Sequence, residues 1–436
     1  MALISHEDVV RKDEEYLIHH ILRQPLVLVE GNGALLKDIN GKEYIDCFSG
    51  IAVVNVGHCH PRVVEAAKEQ LNRLIHCSGV YHSVPQTLLA EKLALVTPGD
   101  LKKTFFCNSG AEAVEGAIKL TKKYALKRGK AGLSVIALQG SFHGRTALAL
   151  TLTGQKKYKV GLATFADHPG VVHAPTPYCY RCNYKYPNCG IACAYVLEDI
   201  LELSTAGDAA ALIAEPILGE GGIIVPPKEY WETVPKICRD HDIPLIIDEV
   251  QTGFGRTGAM FASQHWNLQP DIMTMAKGLG GGMPIGAFIA KDEIAAAFEP
   301  GDHFSTFGGN PVCCSAALAN VNVMIDEEIP EKARKLGAYA IKRLRELAEK
   351  HEIIGEVRGK GLMIGVELVK DRAKKTPDPE TANKIRDEMR EKGVLIGLGG
   401  LKKCTLRLQP CLTIKRDQLD KVLETLEETL EKVSSR

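Results

Sequence analysis

Two residues near the middle of the chain, Asp248 and Lys277, each follow a short apolar run. Asp248 closes PLIID, and Lys277 follows DIMTMA and precedes the glycine-rich GLGGGMPIG. Open α/β sheets bind ligands at the carboxyl ends of their strands, so both side chains are expected at a ligand site. A lysine in a partly dry, glycine-lined pocket can lose its proton near neutral pH and attack a carbonyl to form an imine. An isolated lysine would be a solvated side chain, so the chemical interpretation depends on its context.

Two further segments supply other parts of such a pocket. FFCN is followed by Ser109, Gly110 and Ala111 at a helix start, where main-chain N–H groups and the helix N-terminus favour an anion. A simple Ser N-cap explains the same residues equally well when they are taken alone. QGSFHGRT places Phe142 beside His143 after another apolar run, which suits a ring-stacking platform, although alone it is more typical of a core.

Together, these segments provide the parts needed to hold pyridoxal 5'-phosphate: a phosphate cup, an aromatic platform, an acid and an amine. Asp248 would pair with the ring nitrogen and keep it protonated, so that the ring withdraws electrons from a carbanion. Lys277 would carry the cofactor and then act as the general base in a 1,3-proton shift. The sequence therefore predicts pyridoxal 5'-phosphate as the cofactor.

One literal G-x-G-x-x-G, GFGRTG at residues 253–258, resembles a dinucleotide-binding fingerprint. That function needs the glycines to open a helix, with an acid about 20 residues further on. Here they precede AMFASQHW, which is poorly patterned for such a helix, and Asp248 and Glu249 already occupy the strand end. A nicotinamide-binding role is therefore disfavoured.

The elements that must position these residues are short apolar runs alternating with helical stretches. Strands are predicted over KTFFCNS, LSVIALQ, AALIAEP, PLIIDEV, DIMTMAK and IGAFIA, and helices over PRVVEAAKEQLNRL, VPQTLLAEKLALV and AEAVEGAIKLTKKYALKRG. Fully apolar strands that alternate with helices indicate a mostly parallel sheet covered on both faces. The predicted fold class is α/β, with a large cofactor-binding domain at residues 61–325. A small α+β domain is predicted from the N-terminal segment, residues 1–60, and the C-terminal part, residues 326–436.

Composition and charge exclude several classes of protein. Lys plus Arg and Asp plus Glu number 54 each, so the zero net charge gives no argument for binding nucleic acid or an anionic membrane. No apolar run approaches the ~18 residues of a spanning helix, and the N-terminus lacks an apolar signal core. The odd number of cysteines, 13, is typical of reduced thiols, so a cytoplasmic location is expected.

Nearly the whole chain resembles a class III, or ω-, aminotransferase of the pyridoxal-phosphate fold type I superfamily. The motifs that carry the resemblance are GALLKDINGKEYIDCFSGIAVVNVGHCHP, NSGAEAVEGAIKL, FHGRT, AEPILGEGG, LIIDEVQTGFGRTG, AKGLGGGMPIGA, STFGGNP and LRLQPCLTI. The resemblance implies a fold type I transaminase that acts on a small-molecule amino donor and a keto acid. It also implies a homodimer or a higher homo-oligomer, with the active site at the subunit interface.

The resemblance assigns roles by position. Lys277 matches the Schiff-base lysine, Asp248 the ring-nitrogen partner and Gln251 a residue facing the phenolic oxygen. Thr306 matches a threonine that reaches the phosphate from the partner subunit. The predicted cofactor-binding residues are Ser109, Gly110, Ala111, Phe142, His143, Glu215, Val250, Gln251, Lys277 and Thr306.

Four residues match substrate-binding positions of 4-aminobutyrate aminotransferases: Ile51, Arg145, Glu220 and Arg407. The two arginines would receive carboxylates, and Glu220 would neutralise Arg407 when the substrate has no α-carboxylate. These residues favour transamination between a 4-aminobutyrate-like ω-amino acid and 2-oxoglutarate. Acetylornithine and ornithine aminotransferases share much of this set, and some relatives are amino-acid racemases that use the same lysine and cofactor, so these alternatives stay open.

One segment departs from what the family requires. PTPYCYRCNYKYPNCGIACAY contains Cys179, Cys182, Cys189 and Cys193, spaced C-x2-C-x6-C-x3-C. Four thiols could bind zinc or an iron–sulfur cluster, or they could be buried or free thiols of an insertion loop. The middle spacing is short for a zinc ribbon, so no metal is predicted and the cluster is only a candidate. A non-enzymatic protein built around this cluster is disfavoured by the intact Lys277–Asp248 pair.

Overall fold

The fold is that of a computed structural model, which describes residues 4–130, 134–162, 165–166, 168–205 and 209–434. Residues 1–3, 435 and 436, at the ends of the predicted small domain, lie outside this description. The strands are β1 (Leu28–Asn32), β2 (Leu35–Asp38), β3 (Glu43–Cys47), β4 (Leu101–Cys107), β5 (Ser134–Leu138), β6 (Val171–Ala174), β7 (Ala209–Ala214), β8 (Leu245–Asp248), β9 (Ile272–Met275), β10 (Gly286–Lys291), β11 (Ile354–Lys360), β12 (Met363–Asp371), β13 (Thr376–Pro377), β14 (Val394–Gly399) and β15 (Thr405–Leu408).

The helices cover both sheets. They are α1 (His6–Tyr16), α2 (Ser49–Ala52), α3 (Pro61–Leu71), α4 (Val84–Val96), α5 (Gly110–Lys127), α6 (Ala147–Leu152), α7 (Ala192–Leu203), α8 (Lys228–Asp240), α9 (Asp292–Ala295), α10 (Pro311–Asp326), α11 (Ile329–Lys350), α12 (Pro379–Glu391) and α13 (Arg416–Ser434). Short 3-10 turns lie at Lys156–Tyr158, Ala262–Trp266 and Lys277–Leu279. In the ranges described, no helix combines the length and the apolarity needed to cross a membrane.

The larger sheet has the strand order β4-β10-β9-β8-β7-β5-β6. Strands β9, β8, β7, β5 and β6 pair in parallel, and β10 runs antiparallel to both β9 and β4. Strands β5, β7, β8 and β9 are buried along their whole length, as the apolar runs predict. The α/β fold class is thereby confirmed, and the carboxyl ends of β5, β7, β8 and β9 share one edge of the sheet.

The second sheet combines strands from both ends of the chain. Its order is β1-β2-β3-β14-β15-β12-β11, with β13 paired to β12. The pairing of β3 with β14 is parallel, whereas the other pairs of this sheet are antiparallel. This β3–β14 pairing joins residues from the N-terminal and C-terminal segments, and the domain boundaries themselves stay predictions.

The GFGRTG segment is built of turns and does not begin a helix. Gly255 and Gly258 have φ values of 83° and 89°, which favour glycine. Between them, the buried Arg256 donates to the main-chain carbonyls of Leu362 and Pro410, at 3.2 and 2.5 Å. The motif therefore joins the two sheets, in agreement with the rejection of a nicotinamide-binding role.

Candidate active site

A cavity of about 150 Å³ lies at the carboxyl edge of the larger sheet. It brings together all the predicted cofactor residues except Ser109 and Thr306, which do not line it. Because its walls follow β4, β5, β7, β8 and β9, one sheet edge positions the whole set. The lining residues are Gly110, Ala111, Phe142, His143, Gly144, Glu215, Asp248, Val250, Gln251 and Lys277.

Lys277 begins the 3-10 turn that follows β9 and has a left-handed backbone, with φ 43°. Asn320 holds this turn by donating its Nδ2 to the carbonyls of Gly278 and Leu279, at 2.8 and 2.9 Å. A Cβ at position 278 would lie 2.4 Å from Asn55 Nδ2, so only glycine fits there. The glycines that follow Lys277 therefore permit the close packing that fixes its amine in the cavity.

Burial lowers the pKa of the Lys277 amine below its ordinary value. The carboxylate of Glu220 opposes this shift, and the guanidinium of Arg407 reinforces it. A larger fraction of this amine is consequently neutral near neutral pH than for a lysine on the surface. A neutral amine can act as a nucleophile or as a general base.

Asp248, the last residue of β8, is buried and has two partners. Its Oδ2 lies 2.7 Å from His143 Nδ1, and its Oδ1 accepts a hydrogen bond of 3.0 Å from the Val250 N–H. His143 is itself buried, and its Nε2 has no hydrogen-bond partner among the described residues. The pair places a carboxylate in the cavity wall, where it can hold a protonated ring nitrogen.

The N-terminus of α5 faces the cavity through Gly110 and Ala111. Ser109 is the N-cap, and its Oγ accepts a 3.2 Å hydrogen bond from the N–H of Glu112. A Cβ at position 110 would lie 2.9 Å from Val250 Cγ1, so glycine keeps the helix start close to the cavity. The N-cap interpretation and the anion-binding interpretation are thus compatible in the same structure.

The aromatic platform depends on a contact that the sequence does not predict. The ring of Phe142 lines the cavity and packs edge-to-face on Tyr158, with ring centroids 5.3 Å apart. The Phe142 N–H donates to Glu215 Oε1 at 2.8 Å, while Glu215 Oε2 accepts from the Gly219 N–H at 2.9 Å. Burial raises the pKa of Glu215 to about 7. Its two hydrogen bonds tie the aromatic segment at Phe142 to the loop that contains Glu220.

The predicted substrate residues Glu220 and Arg407 form a charge pair beside the cavity, with 2.7 Å between Oε1 and Nη1. Arg407, buried on β15, also donates from Nη2 to Gln251 Oε1 and Gln409 Oε1, both at 2.9 Å. Burial alone would raise the pKa of Glu220, but Arg407 and then Lys277 outweigh it and lower that pKa. Glu220 is therefore ionised near neutral pH and neutralises Arg407.

The other predicted substrate residues lie further out. Arg145 is exposed, and its guanidinium carbon lies 4.1 Å from the ring centroid of Tyr158 and 5.6 Å from that of Phe142. Ile51 has φ 71° and is 39% exposed, and it does not line the cavity. Thr306 is also exposed and outside the cavity of its own chain.

Two residues of the site escaped sequence reasoning. Gln409 lies two positions after Arg407, so strand alternation could have placed both on one face. Tyr158 lies in the KKY turn, which carries no local signal, and it reaches Phe142 and Arg145 only through the tertiary fold.

The four cysteines of the candidate cluster are free thiols in the structure. Among the residues that are described, no group of three or more His, Cys, Asp or Glu side chains is arranged to hold a metal ion. Burial, and then the neighbouring thiols of the cluster, raises the pKa of Cys179 to about 12 and that of Cys193 to about 11. The geometry of the described residues therefore gives no support to the metal hypothesis, which stays untested for this cluster.

The cavity fits pyridoxal phosphate by the chemistry of its donors. The amine of Lys277, the buried carboxylate of Asp248, the ring of Phe142 and the N-terminus of α5 would suit its aldehyde, ring nitrogen, ring face and phosphate, respectively. Two glycines of the cavity region leave no room for a larger residue. A Cβ at Gly144 would lie 2.7 Å from the Ala111 Cβ. A Cβ at Gly219 would lie 2.2 Å from Gln251 Oε1.

Comparison with known proteins gives matches along nearly the whole chain. A family model described as "Aminotransferase class-III" matches residues 19–430. The acetylornithine aminotransferase of Methanothermobacter thermautotrophicus is 44% identical over 423 residues, which cover 97% of this chain and 98% of that protein. The leucine/methionine racemase of Thermococcus litoralis is 41% identical over 410 residues, covering 93% and 90% of the two chains. The crystal structure of a thermostable (S)-enantioselective omega-transaminase from Thermomicrobium roseum has a TM-score of 0.92 at 35% identity, with 98% of each chain covered.

Proposed function

This chain belongs to the class-III aminotransferase family of pyridoxal-phosphate-dependent transaminases, and from this premise we propose that it transfers the terminal amino group of an acetylornithine-like donor to 2-oxoglutarate. The named relatives support acetylornithine ahead of 4-aminobutyrate, which the sequence motifs alone favoured. Both donors present an amine on a carbon without a carboxylate, and both carry a carboxylate at the far end. The same site chemistry therefore suits either donor.

The charge pair of Glu220 with Arg407 is the observation that carries this proposal. With Arg407 neutralised at 2.7 Å, the site accepts an ω-amine that brings no α-carboxylate to that position. When 2-oxoglutarate or glutamate enters, its α-carboxylate takes the place of Glu220 on the guanidinium. Arg145, held beside Tyr158 and outside the cavity, would receive the distal carboxylate of either substrate.

The residues of the cavity divide the chemistry among them. Pyridoxal phosphate, when bound, supplies a ring that withdraws electrons from the substrate carbon beside the amine. The Lys277 Nζ would remove a proton from that carbon and return it to the carbon on the other side of the substrate nitrogen, which is the predicted 1,3-shift. Asp248 would hold a proton at the ring nitrogen, and Phe142 would exclude water from one face of the cofactor. The N-terminus of α5, at Gly110 and Ala111, would receive the phosphate.

The enzyme is proposed to act as a homodimer in which Thr306 completes the phosphate site of the partner subunit. Thr306 is exposed and does not line the cavity of its own chain. Phe304 and Phe307, close to it in sequence, are 58% and 62% exposed. In another segment, Val80 and Tyr81 are 72% and 69% exposed. Exposed apolar side chains of this kind are typical of protein interfaces. A second copy of the chain is the expected partner.

Racemisation of an α-amino acid is the second candidate function, favoured by the similarity to the leucine/methionine racemase. It needs only proton removal and return at one carbon, for which Lys277 and the cofactor suffice. No keto acid is consumed in that reaction. The presence of both Arg407 and Glu220 favours transamination, since a racemase does not need to accept two kinds of substrate in turn.

A donor screen on the cofactor-loaded enzyme tests both functions. Acetylornithine, 4-aminobutyrate, ornithine and single-enantiomer leucine are each supplied with and without 2-oxoglutarate, and glutamate and the opposite leucine enantiomer are measured. We expect glutamate from acetylornithine, and only with 2-oxoglutarate. A higher kcat/KM for 4-aminobutyrate would reassign the donor, whereas inversion of leucine without keto acid would make racemisation the main activity.

A further inference from the structure

We propose that Arg358 is a positioning residue that fixes the loop of Glu220, and that it thereby sets the preference for ω-amine donors over α-amino donors. This inference rests on the proposed role of Glu220 as the removable neutraliser of Arg407. Arg358 lies on β11, outside the cavity, and none of the predicted site residues is on that strand.

The loop that contains Glu220 is a tight connection between Leu218 and Ile224. These two residues exchange main-chain hydrogen bonds of 3.0 Å in both directions. Within the loop, Gly222 has φ 120° and Ile223 has φ 57°, a left-handed conformation that is costly for a β-branched residue. A loop with such strain keeps its shape only when its surroundings hold it.

Arg358 holds the loop by three hydrogen bonds to two carbonyls. Its Nε donates to Gly222 O at 2.9 Å and to Ile223 O at 3.1 Å, and its Nη2 donates to Gly222 O at 2.6 Å. A Cβ at position 222 would lie 3.1 Å from this Nη2, so the glycine permits the close approach. Glu220, two residues earlier, is thereby directed towards Arg407.

The guanidinium of Arg358 is fixed on its other side. Its Nη1 lies 2.5 Å from Glu356 Oε2 and 2.7 Å from Glu367 Oε2, and its centre lies 5.0 Å from the ring of Tyr178. Glu367 also accepts hydrogen bonds from the Tyr178 hydroxyl and from Arg181 Nε. Arg358 is only 7% exposed. Buried and paired with two acids, it presents its remaining N–H groups to the loop in one orientation.

This arrangement separates the two substrates of the reaction. An ω-amine donor needs Glu220 on Arg407, whereas glutamate needs Arg407 to be free. If the loop loses its anchor, Glu220 covers Arg407 less often, so the ω-amine half-reaction slows and the glutamate half-reaction does not. A loss of general stability would instead slow both half-reactions together.

The test compares the wild-type holoenzyme with the cofactor-loaded variants Arg358→Met and Arg358→Lys. Single-turnover kcat/KM is measured for acetylornithine and 4-aminobutyrate on one side and for glutamate on the other. The dissociation constant of glutarate, a dicarboxylate that competes for Arg407, is measured by calorimetry. For Arg358→Met we expect at least a roughly tenfold lower kcat/KM with both ω-amines, glutamate within about threefold of wild type, and tighter glutarate binding. Arg358→Lys, which keeps the charge but lacks the fork, is expected to shift in the same direction by less.

Arg372→Met is the matched control, because Arg372 also donates to main-chain carbonyls, those of Ala348, His351 and Ile354, near the other end of β11. It is expected to leave the donor ratio unchanged. An unchanged ratio in both Arg358 variants, or equal losses for both kinds of donor, overturns the inference. If Arg358→Met fails to fold, the Arg358→Lys ratio decides. Glu220→Gln separates the two proposals: if it leaves the ratio unchanged, the proposed function fails first, and if it alone shifts the ratio, only the role of Arg358 fails.

Discussion

Asp248 and His143 lie side by side in the wall of the cavity, with 2.7 Å between Oδ2 and Nδ1, and both side chains are buried. The other carboxylate oxygen, Asp248 Oδ1, accepts a hydrogen bond of 3.0 Å from the Val250 N–H. The carboxylate is therefore fixed in orientation before any cofactor enters. A carboxylate fixed in this way would stabilise a proton on the ring nitrogen of the cofactor without having to reorient first.

Replacement of this carboxylate tests its proposed contact with the ring nitrogen. Asp248→Asn is expected to keep the cofactor bound but to slow the donor half-reaction by more than about tenfold, or about 1.4 kcal/mol in the barrier. Single-turnover kinetics with acetylornithine measure this effect. Glu249→Gln is the matched control, because Glu249 is the next buried acid but binds Ala262 and Ser263 N–H groups outside the cavity. An effect below tenfold in Asp248→Asn removes the assigned role.

Lys277 is the proposed point of cofactor attachment and the proposed general base. Lys277→Ala should abolish turnover and also prevent covalent attachment of pyridoxal phosphate after borohydride reduction, measured by mass spectrometry. Lys291→Ala is a suitable control, because Lys291 does not line the cavity. Its Nζ lies 2.7 Å from Asp271 Oδ1, with which it forms an ion pair. Wild-type turnover in the Lys277 variant would contradict the mechanism.

Removal of the charge on Glu220 leaves Arg407 buried without its ionised partner. Glu220→Gln is therefore expected to lower kcat/KM for acetylornithine by roughly tenfold or more. Arg407 then favours a substrate with a carboxylate beside the reacting amine, and acetylornithine has none at that position. Glutamate already brings that carboxylate, so its half-reaction should change by less than about threefold. Stopped-flow measurement of the two half-reactions checks the contrast, and parallel losses in both would refute the proposed exchange.

Glu215 predicts a specific dependence of stability on pH. Its pKa is raised from 4.5 to about 7 by burial, so the folded protein keeps a proton that the unfolded chain has already lost. The free energy of unfolding should fall as pH rises from about 4.5 to about 7, by up to roughly 3 kcal/mol from this group. Glu215→Gln cannot titrate and should lack this component, although it loses one acceptor for Phe142 or Gly219. Urea denaturation of the wild-type and Glu215→Gln apoproteins at about pH 5 and pH 8 measures the difference. An equal change in the free energy of unfolding between the two pH values in both proteins would contradict the raised pKa.

The predictable part of the site consists of residues at the ends of apolar strands. Asp248, Glu215 and Lys277 each end or follow such a run, so local pattern and motif place them at one sheet edge. The anchor of the Glu220 loop is different in kind, because Arg358 and Gly222 are 136 positions apart in the chain. No local pattern reports a contact of that separation.

The fold shows the same division between local and tertiary signals. The stretch VPQTLLAEKLALV, predicted as a helix, coincides with the bounds of α4 in the structure. The sequence does not predict strand β6, because VVHA is short and only its last residue is buried. Nor does the sequence predict helix α10: PVCCSAALANVNVMID is mostly small and apolar and is buried on several sides, so it lacks a polar stripe.

The proposed contribution of Thr306 to the partner's site can be tested by mixing two inactive or weakened subunits. If Thr306 acts across the interface, a heterodimer of Lys277→Ala and Thr306→Ala chains has one site with both wild-type residues. If Thr306 acts within its own chain, each site of that heterodimer lacks one residue. At limiting pyridoxal phosphate we therefore expect the mixed, differently tagged heterodimer to recover about half of the wild-type activity per dimer, whereas each homodimer stays far below it. Heterodimer activity no higher than that of the Thr306→Ala homodimer would refute the shared site.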